Sequence, residues 1–94
     1  MSTNDPLTRR HIIVAGRVQG VGFRWFAKET AESLGVTGWV RNRADGTVEA
    51  EAEGTAAALD EFERRLKTGN PHATVSEIVT KPAAVKNETA FRII

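Results

Sequence analysis

The sequence contains no cysteine, and that absence removes disulfides, thiolate nucleophiles and cysteine metal sites together, as suits a reducing compartment. Histidine is nearly as scarce. His11 and His72 are the only two, with no tight carboxylate cluster in the sequence beside either, so no metal site and no cofactor are expected. Neither sign of charge dominates, with 13 Lys+Arg against 12 Asp+Glu, which leaves no broad basic footprint for nucleic acid or anionic membrane. Any anion site must therefore be local. No apolar run approaches the ~18 residues of a membrane helix, and the start "MSTNDPLTRR" lacks the apolar stretch of a secretory signal. A cytoplasmic location is expected by default. A chain of 94 residues suits one domain with one core, expected over 9–94 after a mobile N-terminal tail over 1–8.

Within that domain "HIIVAG" is a short β-branched run suited to a buried strand. From about Phe23 to Leu34 the period becomes helical, with Phe26, Thr30, Ala31 and Leu34 on one side and Lys28, Glu29 and Glu32 opposite. Gly35 stands where a left-handed helix end belongs. "VTGWVRNRADGTVEAEAEG" reads as a hairpin turning at Asp45-Gly46. Its second arm alternates Val48, Ala50 and Ala52 with Glu49, Glu51 and Glu53, so the glutamates are expected on a solvent face. Thr55 is the expected N-cap of a second helix, with Leu59, Phe62 and Leu66 as its apolar stripe and Gly69 as its stop. "TVSEIVTK" is a further strand and "ETAFRII" a short last one. The order predicts a ferredoxin-like βαββαβ sandwich, an α+β fold with two helices packed on one face of an antiparallel sheet.

The stretch "GRVQGVGFR", Gly16 to Arg24, interrupts this pattern between the first strand and the first helix. A glycine-rich turn entering a helix leaves backbone N–H groups unpaired around one concavity, and the helix dipole adds positive potential there. Gly16, Gly20 and Gly22 permit positive φ and close approach of an anion. Arg24 adds a permanent charge with a planar fork for two phosphate oxygens. A cation at a helix N-terminus costs on the order of 0.3–1 kcal/mol unless an anion offsets it. The spacing matches neither the Walker loop nor the dinucleotide fingerprint.

Together with "GWVRNRADG", Gly38 to Gly46, this stretch resembles the acylphosphatase family from about Arg10 to Ile94. The family hydrolyses the carboxyl–phosphate anhydride of acyl phosphates, and its fold is the ferredoxin-like one. The resemblance implies phosphate binding by the loop Gly16, Arg17, Val18, Gln19, Gly20, Val21 and Gly22 with Arg24, and orientation of the attacking water by Asn42. It implies a metal-independent enzyme with a small acyl phosphate as substrate, and inorganic phosphate as product and competitive inhibitor. We expect a monomer. A second class of function is a phosphoanion-binding regulatory module of the same fold without turnover; retention of both Arg24 and Asn42 favours turnover.

The residues agree with these implied roles. Asn42 shares strand parity with Val40 and so should point to the helix-covered side, and its carboxamide can accept from a water while donating to a phosphoryl oxygen. Arg17, Arg41 and Arg43 flank the expected pocket and would raise its potential. Trp39 has the opposite parity and is expected on the uncovered face. An RNA-recognition role, open to this element order, is disfavoured by the glutamates on the strand that would meet the RNA.

Overall fold

The structure is a computed structural model and describes residues 5–94. Its elements are β1 (Thr8–Arg17), α1 (Phe23–Ser33), β2 (Thr37–Asn42), β3 (Val48–Gly54), α2 (Ala56–Thr68), β4 (Thr74–Ala83) and β5 (Phe91–Ile93). They form one sheet in the order β4-β1-β3-β2-β5. This is the expected ferredoxin-like arrangement with a short fifth strand added. Of the N-terminal stretch expected to be mobile, residues 1–4 lie outside the described residues, and Thr8 opens β1 opposite Gly54.

Both helices lie on one face. Ile12 and Val14 of β1, Val40 of β2 and Val48, Ala50 and Ala52 of β3 point toward it and are fully buried. Phe23, Ala27 and Ala31 of α1 and Leu59, Phe62 and Leu66 of α2 close over them. The stripe of α1 is rotated from the expected one. Phe23 and Ala27 take the deepest positions while Phe26 and Leu34 are only partly buried, because the helix opens at Phe23 directly after Gly22 and turns that ring inward. Gly35 is left-handed, φ 69°, as expected, and the Thr55 hydroxyl accepts from the Ala58 N–H at 3.2 Å. Gly69 ends α2 in a right-handed conformation, φ −87°. An added Cβ there would approach the Phe26 ring to 2.9 Å, so the glycine makes room for α1.

The sheet is mixed where a wholly antiparallel one was expected. β5 runs parallel to β2, with Gly38 opposite Phe91 and Val40 opposite Ile93. β4 ends at Ala83 beside Arg9, at the end of the sheet where β2 begins, and the chain enters the far edge from that same end, so β5 runs in the direction of β2.

The glutamate face of β3 is not the solvated surface that its alternation predicts. Arg9 of β1 lies across it, fully buried, with Nε 2.6 Å from Glu51, Nη1 3.2 Å from Glu53 and Nη2 3.3 Å from Glu88. Glu53, only 2% exposed, also accepts the backbone N–H groups of Lys86 at 2.7 Å and Glu88 at 3.1 Å. The segment between β4 and β5 is thus fastened over the open face. Glu49 meets His11 and Arg41, each at 2.6 Å, and the Arg41 guanidinium lies 5.6 Å from the centre of the Trp39 ring.

These contacts set an acid limit on stability. Burial alone would push Glu53 up, but the Lys86 N–H, Arg9 and the Glu88 N–H outweigh it and hold the carboxyl below its usual 4.5. Below that value the unfolded chain takes up protons that the native carboxylate refuses, so the contribution is complete above 4.5 and is lost as pH falls through the native value. Glu61, clamped by Arg64 and Arg65, is lowered to about 2, which extends the window downward. Denaturant midpoints should fall between neutral pH and about pH 3. Glu53→Gln should start lower and lose less over the same interval; an unchanged slope in the variant would remove Glu53 from the account.

Candidate active site

β1 carries a bulge between Ala15 and Gly16. Gly16, φ 126°, lies so close to β4 that an added Cβ would fall 2.2 Å from the Thr74 carbonyl oxygen. The strand stays paired with β4 through Gly16 and Arg17 after its pairing with β3 has ended at Val14, and Gly16 does not line the cavity. Gly20 and Gly22, at φ 75° and 73°, have open space around them, so conformation alone selects glycine there. Val18 anchors the loop, fully buried in the core, and Val21 packs partly against it.

A second anchor ties the loop to the β2–β3 hairpin. The Gln19 side-chain amide donates to the carbonyl oxygens of Arg43 at 2.7 Å and Thr47 at 2.9 Å. Those acceptors flank the hairpin turn directly after Asn42. The loop and Asn42 are therefore held in register by a side chain whose sequence position suggests only a backbone role.

The N-terminus of α1 is left without the usual compensation. Gly22 provides no side-chain cap and the first turn holds no acidic residue. Among the described residues no hydrogen bond reaches the N–H groups of Gly20, Val21 or Gly22. Arg24 forms no ion pair among them either, whereas Arg9, Arg10, Arg41, Arg64 and Arg65 are all engaged by carboxylates. Unpaired donors, a helix dipole and a free guanidinium thus meet at one point, and each is better satisfied by an anion.

Gly20, Gly22, Arg24 and Asn42 line one concavity of about 180 Å³, with Val18, Phe23, Trp25 and Ile93 completing its walls. The volume is below the ~300–1,000 Å³ of clefts for drug-sized ligands and suits a phosphoryl group with a modest appendage. Asn42, the last residue of β2, points to the helix side as its parity with Val40 predicts. Its carboxamide is exposed and makes no hydrogen bond among the described residues.

Of the other residues expected at the site, Gly16, Arg17, Gln19 and Val21 do not line the concavity. Arg17 is exposed at the end of β1. Arg41 is drawn to the opposite face by Glu49, and Arg43 lies 3.8 Å from Asp45. Trp25 and Ile93 were not marked by the sequence pattern as site residues. The signal for Trp25 is its place two residues from both Phe23 and Ala27, off the inward stripe; for Ile93 it is the parallel pairing of β5, which local pattern does not disclose. Among the described residues no group of three or more acidic or histidine side chains gathers as a metal cluster.

A sequence model of the acylphosphatase family matches residues 10–93. The acylphosphatase of Bifidobacterium longum is 45% identical over 90 residues, which span 96% of this chain and 93% of that relative. Among solved structures, the Bacillus subtilis acylphosphatase is 41% identical with a TM-score of 0.89, covering 95% of this chain and 99% of that one. The acylphosphatase of Coxiella burnetii is 35% identical with a TM-score of 0.91, covering 99% and 100%. The glycine loop and the hairpin that ends β2 both fall inside the matched span, and the chain belongs to the acylphosphatase family.

Proposed function

We propose that the chain hydrolyses the carboxyl–phosphate anhydride of acyl phosphates to a carboxylate and inorganic phosphate without a metal ion, with Arg24 and the loop binding the phosphoryl group and Asn42 placing the water. Family membership and fold support acyl phosphate hydrolysis in general. The assignment of roles rests on one observation: an unpaired arginine at an uncompensated helix N-terminus shares a small concavity with an unpaired carboxamide.

The chemistry needs little more. The water oxygen attacks phosphorus in line, the bond from phosphorus to the acyl oxygen breaks, and its electron pair departs with the carboxylate. That leaving group is stable without protonation at neutral pH, so no general acid is required. The proton of the water passes to a phosphoryl oxygen, which removes the need for a protein base. What remains is charge on the equatorial oxygens and the position of the nucleophile. Arg24 and the N–H groups of Gly20 and Gly22 meet the first demand; Asn42, accepting from the water and donating to a phosphoryl oxygen, meets the second. We take residues 9–94 to act as one monomeric domain in the cytoplasm.

Loss of benzoyl phosphate absorbance at neutral pH, with excess chelator present, tests this reading. Hydrolysis should proceed at an undiminished rate and be inhibited competitively by inorganic phosphate. Loss of activity on chelation with recovery on adding magnesium would overturn the metal-independent mechanism. A folded chain that binds phosphate but hydrolyses nothing would instead be a phosphoanion-binding regulatory module.

A further inference from the structure

Two large apolar side chains stand at the concavity with much of their surface in water. Trp25 is 58% exposed and Ile93 37% exposed, and both line the same small space as Arg24 and Asn42. A single exposed apolar residue requires no explanation. Two from distant parts of the chain, lining the same concavity as the unpaired Arg24, form a surface whose polarity changes within that one small space. Each is also held in place. The Lys28 ammonium lies 5.4 Å from the centre of the Trp25 ring and is itself bonded to Glu32 at 2.8 Å. Ile93 is fixed opposite Val40 by the parallel pairing of β5, and the Ile94 N–H donates to the Val40 carbonyl at 2.9 Å, two residues before Asn42.

An acyl phosphate has the same division of polarity, an anionic phosphoryl end joined to an acyl body. With the phosphoryl group at the loop and Arg24, the acyl body extends toward the rim. We propose that Trp25 and Ile93 form an acyl-group subsite that selects apolar, above all aromatic, acyl phosphates over short ones; this rests on the hydrolytic reading above. The flat indole suits a ring in offset or edge contact, and the branched end of Ile93 covers its flank. Acetyl phosphate offers these two side chains only a methyl group, so the two substrates differ in how much apolar surface they bury against the rim.

The experiment compares kcat/KM for benzoyl and acetyl phosphate in the parent, Trp25→Ala, Trp25→Phe and Ile93→Ser. The parent should favour benzoyl phosphate. In Trp25→Ala the benzoyl-to-acetyl ratio should fall about 3- to 10-fold, the range of one aromatic contact. The fall should lie in KM, because the contact is equally present in ground and transition states. Trp25→Phe should restore most of the ratio and Ile93→Ser should lower it. Hydrolysis of both substrates with a ratio that does not move in Trp25→Ala overturns the subsite alone. Hydrolysis of neither substrate by the folded parent overturns the catalytic reading, and the subsite with it.

Discussion

Arg24→Ala should fold normally and hydrolyse acyl phosphates at least about 10³-fold more slowly than the parent, the lower end of what a transition-state arginine contributes in phosphoryl transfer. The side chain is the second residue of α1, at a helix end with no acidic residue in its first turn and no side-chain cap. It opposes the dipole and forms no ion pair among the described residues, so no charge pairing in the fold depends on it. Its removal should raise stability by roughly 0.3–1 kcal/mol. Loss of activity together with a gain in stability is a combination that a structural role cannot produce. Inorganic phosphate reports the same interaction without turnover, and its inhibition constant should rise about 10- to 100-fold, as expected for a lost charge-assisted pair. A variant inhibited by phosphate as strongly as the parent would remove Arg24 from the site.

The fold was legible because its signals are local. The helical stripe of Leu59, Phe62 and Leu66, the alternation through Val48, Ala50 and Ala52, and the Asp45-Gly46 turn each depend on residues near one another in the chain, and each element stands where they place it. What escaped depends on pairing across the chain. Alternation separates Glu49, Glu51 and Glu53 from the core, yet only the register of β1 against β3 brings Arg9 opposite Glu53, and only the return toward β5 brings Lys86 and Glu88 onto that carboxylate. Three glutamates of an alternating strand can read as solvated while partners far along the chain cover their face.

The grouping of residues at the candidate site was legible in the same measure. Val18, Gly20, Gly22, Arg24 and Asn42 are the five expected residues that meet at the concavity, and all five belong to the two short stretches that carry the family resemblance. Gly16 belongs to the same stretch, but its requirement for glycine comes from the Thr74 carbonyl of β4, a long-range neighbour. The Gln19 side chain likewise earns its place through acceptors on the other hairpin. Glycine and amide residues announce that a turn is constrained without saying by what.

Asn42→Ala separates placing the water from binding the anion. The residue ends β2, is exposed, and spends its carboxamide on no hydrogen bond among the described residues, so its loss should change stability by no more than about 0.5 kcal/mol. A structural asparagine with those contacts would leave the enzyme as it was. If the side chain instead holds the nucleophile, the phosphoryl group still meets Arg24 and the loop, and the inhibition constant of phosphate should stay near that of the parent. Turnover should fall by about 10²–10³, the range for loss of one preorganised hydrogen-bonding group. The effect belongs in kcat, because water position matters in the reaction and scarcely at all in binding. A large rise in the phosphate constant with normal turnover would move Asn42 from the nucleophile to the anion. Unchanged kcat and unchanged affinity would leave the water to be placed by the loop alone, and the pairing of Arg24 with Asn42 would lose its chemical meaning.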